Sequence, residues 1–312
     1  MREIIHAQDS YAKNSKPMNK LQRLKTLLAL IAIASTVPGC LPPDKIEDNV
    51  PTAINLEEST QTIQDYLKNQ PPETTPIRIG VTQDKTSSLE ANRVKRLSLE
   101  KLDPLLEFIG KNGGELAYLR ACNDSNMPMS RVKISQPPRL DDQDLLALTL
   151  PTKPDENANP LFAHEGEEQR QKERETFKEG FEHNSAIIAA HEEAIKDWET
   201  STQNKLNQYR QQLQTLSQQP LDCPATDIYG AIQRNSLFFQ EDTSIWTKKP
   251  QDWIIFITDG LHNTANQKAN FPQDTNVLLV NGGTTVGVFK DIEHQSFEAP
   301  TAAIDYVLHN AK

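Results

Sequence analysis

The chain has 312 residues, with 43 Asp and Glu against 33 Lys and Arg, a formal charge of −10, 6% aromatic residues and three cysteines. That length holds one domain with an insertion. The acidic balance argues against nucleic acid, whose binding rests on neutralising phosphates, and against lying flat on an anionic bilayer.

The first 39 residues read as an export leader. Met18–Lys25 is basic, and Leu27–Val37 is apolar but too short to span a bilayer in a mature protein. Val37-Pro38-Gly39-Cys40 resembles the lipobox of bacterial lipoproteins. That resemblance implies lipid attachment at Cys40, removal of residues 1–39 and a place in the cell envelope. An ordinary signal peptide or an N-terminal membrane anchor is the alternative. The polar stretch Met1–Pro17 is foreign to a signal peptide, which makes Met18 a candidate start. Leu41 in place of Asp resembles the outer-membrane sorting pattern, which would put the protein on the periplasmic face of the outer membrane in a Gram-negative cell. From Cys40 onward the chain carries 27 basic and 41 acidic residues, a formal −14, and the membrane is reached through the lipid alone. Residues 40–75 read as a tether with one helix at Leu56–Asn69.

An alternating core follows over residues 76–312. Ile77–Thr82 is an apolar strand, and Ser88 opens a helix toward Leu102 that Asp103-Pro104 restarts and Lys111–Gly114 stops. Glu115–Ala121 is the next strand, with Arg131–Ser135 folding back on it as an edge. Pro151–Pro160 is loop, and Ala163–Gln219 contains no Pro. Within it Ile188, Ile195, Trp198, Thr202, Leu206, Tyr209, Leu213 and Leu216 recur at coiled-coil spacing. Unbroken, that helical insertion (about 151–220) would reach roughly 80 Å; a break at Asn184-Ser185 would fold it into a hairpin. The stripe packs on the domain or a partner helix, or else forms a recognition arm anchored by Trp198 and Tyr209. His183 and His191 read as solvated. A helix over Asp227–Phe239, strands Trp253–Thr258, Asn276–Asn281 and Gln295–Phe297, and a helix Thr301–His309 complete the chain. The alternation predicts an α/β fold: a doubly wound, mostly parallel sheet with helices on both faces and a long helical insertion.

Two strand ends carry the chemistry. The first ends in Asp84-Lys85-Thr86-Ser87-Ser88, the other in Thr258-Asp259-Gly260. In a doubly wound sheet both fall on the carboxyl edge, where ligands bind. Carboxylates with hydroxyls are the ligands of hard divalent ions. Helix capping, through a Ser87–Glu90 capping box, is the competing use of the first group, and a simple turn that of Asp259-Gly260. Asp84-x-Thr86-x-Ser88, Thr226 before a helix and Asp259 at a strand end resemble the metal-ion-dependent adhesion site of von Willebrand factor A domains. The resemblance covers about residues 75–312 outside the insertion, with Thr86 where the family motif has Ser. It implies a non-enzymatic module in which Asp84, Thr86, Ser88, Thr226 and Asp259 hold a divalent cation, Mg²⁺ foremost, with Mn²⁺ or Ca²⁺ as alternatives. The ion would receive a carboxylate from a protein ligand. The rival readings are a metal-dependent hydrolase or phosphatase using Asp84, and a scaffold that binds through its insertion with the metal site empty. With Cys40 lipidated, Cys122 and Cys223 remain as a pair near one sheet edge, which predicts a disulfide; two buried thiols are the alternative.

Overall fold

The structure, a computed structural model, describes residues 56–153, 163–217, 223–265, 267–281 and 287–311. The leader and Cys40 lie outside the described residues. The chain divides into two compact units, one of residues 1–69 with 141–188 and the other of 70–140 with 189–312. Of the three chain boundaries between them, at 69/70, 140/141 and 188/189, the last falls inside the predicted insertion.

The larger unit is built on a six-stranded sheet in the order β3-β2-β1-β4-β5-β6. Its strands are β1 Ile77–Asp84, β2 Gly114–Ala121, β3 Ser130–Ile134, β4 Gln251–Ile257, β5 Asn276–Val280 and β6 Gln295–Phe297. All neighbours are parallel except β3, which runs antiparallel to β2 at the edge. The predicted strands are all present, and β1 extends two residues further than expected, to Asp84. Both faces are covered, which explains why β4 carries the unbroken apolar run Trp253–Ile257. One face packs Ile79, Val81, Tyr118, Ile255 and Leu278 beneath α3 (Asp103–Asn112), α6 (Pro300–Asn310) and the end of α4 (Ala163–Ser217). The other packs Leu119, Ile254, Phe256 and Leu279 beneath α5 (Ile228–Phe239) and Phe289.

The expected helix over Ser88–Leu102 is not continuous. It stops after one turn, as α2 (Ser88–Ala91), because Arg93 takes a left-handed φ of 59°. A 3₁₀ turn at Leu99–Leu102 then leads into α3, where Asp103-Pro104 starts a helix as predicted.

The long helix α4 is unbroken over 55 residues. In the smaller unit, which also holds α1 (Leu56–Lys68), its Phe177, Phe181 and Ile188 are buried. Asn184 does not cap a break: its side-chain amide donates to Leu146 O at 2.9 Å and accepts from Leu146 N at 2.8 Å, pairing like a strand neighbour. In the larger unit Leu206, Tyr209 and Leu213 join the sheet's core, with Trp198 and Leu216 packed against it. Trp198 Nε1 donates to Ser135 O at 3.0 Å and Tyr209 O–H to Ser130 O at 3.1 Å, so both aromatic residues serve the seam and not a recognition arm. His183 is exposed as expected, whereas His191 is buried.

Under α5, β1 presents Arg78, Gly80, Thr82 and Asp84 in place of an apolar row. Arg78 donates to the carbonyls of Phe238, Phe239 and Glu241, closing the C-terminal end of α5. A Cβ on Gly80 would stand 2.4 Å from Asn235 Oδ1, so only Gly lets α5 come this close. Asn235 Nδ2 donates to Thr82 Oγ1 at 2.9 Å. These contacts fix α5 lengthwise along β1 and bring its N-terminal end to Asp84.

Beside Arg78 in the β1–β2 register stands Glu115, 1% exposed, its Oε1 without a hydrogen bond among the described residues. Burial pushes its carboxyl above the ordinary value of 4.5, against pulls from Arg131, Lys133 and Arg78, with Glu241 adding to the rise. A folded pKa above the unfolded one gives stability that is complete below the unfolded value and is lost as pH rises through the folded value. Glu115→Gln is therefore expected to flatten the loss of stability from about pH 4.5 upward. Urea unfolding of both proteins from acid to neutral pH checks this. Parallel profiles would refute it.

Candidate functional site

The sheet order reverses between β1 and β4, the point in an open α/β sheet where a crevice forms outside the strands' carboxyl ends. Asp84 ends β1 there, and Thr258 and Asp259 follow β4 on the adjoining strand. Thr226 arrives on the loop that opens α5.

Asp84 is fully buried. Its Oδ1 accepts from the backbone N–H of Thr86 at 2.9 Å and from Thr86 Oγ1 at 2.8 Å. Thr258 Oγ1 donates to Oδ2 at 3.1 Å. Thr226 Oγ1 lies 3.3 Å from both carboxylate oxygens and from Thr86 Oγ1, and Ser88 Oγ lies 2.9 Å from Thr86 Oγ1. Asp84, Thr86, Ser88 and Thr226 thus form one hydrogen-bonded group. Asp259, also fully buried, accepts from Asn92 Nδ2 at 2.8 Å and Leu261 N at 3.0 Å. It stands close enough for its charge to act on Asp84. Burial is the main cause that raises the Asp84 pKa, the Thr86 and Thr258 hydrogen bonds oppose it, and Asp259 adds to the rise.

Capping does not account for this arrangement. Ser87 holds the N-cap position of α2 but makes no side-chain cap bond, and Glu90 pairs with Arg96 at 3.1 Å. At the other strand end Gly260 does make a turn, with φ 76°, and that turn lets Leu261 N reach back to Asp259.

The Thr226 loop is held on several sides. Thr226 N donates to Asn263 Oδ1 at 2.6 Å, and Asn263 N returns a bond to Thr226 O at 3.2 Å. Asp227 caps α5 by accepting from Gly230 N at 2.9 Å, and its own N–H donates to Cys122 O at 2.8 Å. Cys122 and Cys223 stand at disulfide-bonding distance, their Cα atoms 5.3 Å apart.

The chain matches no family model, no curated protein and no solved structure. Among the described residues no three His, Cys, Asp or Glu side chains gather as a metal-holding group, so an ion here would draw on hydroxyls as well as carboxylates. Among the described residues the groups that reach the Asp84 carboxylate are hydroxyls and one backbone N–H, none of them a cation. A buried carboxylate so placed fits a hard cation, because desolvation without a counter-charge is costly. Neighbouring oxygens of an octahedral Mg²⁺ site lie about 3.0 Å apart, given metal–oxygen distances near 2.1 Å. The separations of 2.8–3.3 Å among Asp84, Thr86, Ser88 and Thr226 are of that size.

Sequence reasoning missed Asn92, Asn263 and the direct role of Thr258. Thr258 immediately precedes Asp259 at the end of the second strand, and its hydroxyl is a signal the sequence does carry. Asn92 lay inside a helix predicted to continue, and no sequence signal marks the turn at Arg93. Lys85, within the first strand-end motif, is buried and its pKa falls to about 8, through burial first and then the Arg120 and Arg96 charges.

Proposed function

We propose that the chain is a lipid-anchored, extracytoplasmic binding module of von Willebrand factor A type. Asp84, Thr86, Ser88, Thr226 and Asp259 would hold a divalent cation, Mg²⁺ foremost, through which a carboxylate of a protein partner is bound. The observation that carries the proposal is the buried Asp84 carboxylate, surrounded by hydroxyl oxygens and facing no counter-charge. The sheet order, with its reversal at this site and one antiparallel edge strand, also supports it. When bound, the ion supplies positive charge with an open coordination position. Asp84 and Asp259 offer charge to it, while Thr86, Ser88 and Thr226 offer neutral oxygens that leave it partly uncompensated. Asn92 and the Leu261 N–H orient Asp259, and Asn263 fixes the Thr226 loop. Leu261, 48% exposed two residues beyond Asp259, gives a partner an apolar contact beside the charge.

Thermal melting under Mg²⁺ or Mn²⁺ titration tests this. Ion at a hundredfold excess over its dissociation constant is expected to stabilise the wild type by about 2.7 kcal/mol. Asp84→Ala is expected to fold, because the residue ends β1 outside the two apolar core clusters, and to lose the ion-dependent shift. Identical melts with and without ion, for both proteins, would sink the proposal.

A further inference from the structure

In the smaller unit the chain from Leu145 to Pro151 runs along α4 as an open edge. The 3₁₀ turn Asp142–Asp144 delivers it at Leu145 with φ −104° and ψ 142°, and from Leu146 to Lys153 there is no turn, bend or helix. Asn184 of α4 accepts from Leu146 N and donates to Leu146 O, and Glu173 of α4 accepts from Thr152 N at 2.8 Å. Asn184 and Glu173 are about 16 Å apart along the helix, and the fully extended distance from Leu146 to Thr152 is about 20 Å. The segment is therefore close to extended. Backbone groups alternate sides along such a chain, so those of Leu146 and Thr152 face α4, and those of Ala147 and Thr149 face away from it.

The outer side is open. Among the described residues the backbone of Ala147–Leu150 makes no hydrogen bond. Leu146 is 53% exposed and Leu150 44%, while Leu148 leans on α4 at Gly180, where an added Cβ would stand 3.1 Å from its Cδ2. A row of open backbone groups beside exposed apolar side chains is a template for another strand. Both ends of the row are marked. Leu145 N already donates to Asp142 O at 3.2 Å, and Pro151 has no N–H, so neither can donate to an added strand.

We propose that Leu145–Pro151 is a self-pairing edge, to which a second copy of this chain adds antiparallel about a twofold axis at Leu148. The symmetry of the segment selects this partner. The two stops, Leu145 and Pro151, stand three residues to either side of Leu148, the exposed Leu146 and Leu150 two, and the outward-facing Ala147 and Thr149 one. An antiparallel copy thus sets Ala147 opposite Thr149 of the other copy as a hydrogen-bonded pair, twice over. It sets Leu146 opposite Leu150 in the intervening pairs, where side chains approach closest. It also brings Lys153 of each copy to the acidic turn Asp141–Asp144 of the other. Because α4 occupies the inner side, each copy has one open side here, and pairing closes at two. An edge this short buries well under the roughly 1,600 Å² of a standard interface, so the dimer is weak and depends on concentration. The proposal stands apart from the metal-site reading.

Cysteine trapping in the full chain tests the register. The double variant Leu146→Cys with Leu150→Cys, both at exposed positions, is expected to form a covalent dimer on mild oxidation. Opposed residues of this pair type lie about 4.5 Å apart at Cα, within disulfide reach. Either single variant is expected to stay unlinked, because its cysteine then faces a leucine of the other copy. Equal cross-linking by single and double variants would mean chance collision and overturn the proposal, as would a folded double variant that never links. Sedimentation velocity at rising concentration gives the second reading. Ala147→Pro removes one outward N–H from each copy without touching the contacts to α4. It is expected to weaken dimerisation about tenfold with an unchanged thermal melt. A wild type that sediments as monomer at every concentration, or Ala147→Pro that dimerises as well as wild type, would overturn the pairing. A double variant that stays monomeric when pure but is trapped on another protein in cell extract would overturn the second-copy assignment.

Discussion

Replacing Asp252 with Ala is expected to destabilise the protein by about 3–5 kcal/mol, the usual cost of leaving one partner of a buried ion pair behind. Asp252 takes two hydrogen bonds from Arg78, from Nε and Nη2, both at 2.8 Å, and the side chains are 4% and 10% exposed. Without Asp252 the guanidinium keeps only carbonyl partners at the end of α5. It cannot lose its proton, so the full charge stays buried at every accessible pH. Arg78→Met is expected to behave differently. It leaves a carboxyl that burial already pushes above the ordinary range, and that carboxyl can be protonated. Its cost should therefore shrink on moving from pH 7 toward about pH 4, while that of Asp252→Ala should not. Urea unfolding of both variants across that range separates the two. A loss below about 1 kcal/mol for Asp252→Ala would mean the pair is no better than a surface one.

The same pair shows where sequence reading reaches its limit. Arg78-Ile79-Gly80-Val81-Thr82 reads as part of an apolar strand, yet it alternates polar with apolar residues. The structure buries that polar face, because Asp252 and the carbonyls at the end of α5 accept from Arg78, Asn235 donates to Thr82, and Gly80 makes room. Periodicity reports which residues share a face, not what covers it. The stripe from Trp198 to Leu216 had the same ambiguity: a seam onto a coiled partner and a seam onto α3 and the sheet need the same spacing. Gly110 of α3, where an added Cβ would come within 2.8 Å of Leu206, is a clue only once the two helices are known to meet. By contrast the strands, the antiparallel edge, α5 and the candidate ligands were legible. Each is written in a short window by residue type and position: an apolar run with oxygen-bearing side chains at its end. Asn92 and Lys85 were not, since the first depends on one left-handed residue and the second on a neighbouring strand.

Removing the Cys122–Cys223 link should have a comparably large effect on stability and a much smaller one at the site. The two cysteines are 101 residues apart, and closing such a loop is worth up to about 4.7 kcal/mol in the chain-entropy model. That term acts on the unfolded chain, so reduction, or replacement of both residues by Ser, should lower the urea midpoint by an amount of that order without moving the native contacts. The contacts nearest Thr226 do not depend on sulfur. Asn263 still accepts from Thr226 N, Asp227 N still donates to Cys122 O through the backbone, and Asp227 Oδ2 still accepts from Ser125 N at 3.2 Å. Ion affinity, read from the Mg²⁺ dependence of melting, is therefore expected to fall by less than tenfold in the Ser variant. Thiol labelling of the untreated protein, denatured without reductant, should find neither cysteine free. Full labelling of both would remove the disulfide. An ion response lost together with the link would instead mean that the covalent tie, and not the hydrogen bonds of Asn263 and Asp227, holds Thr226 against Asp84.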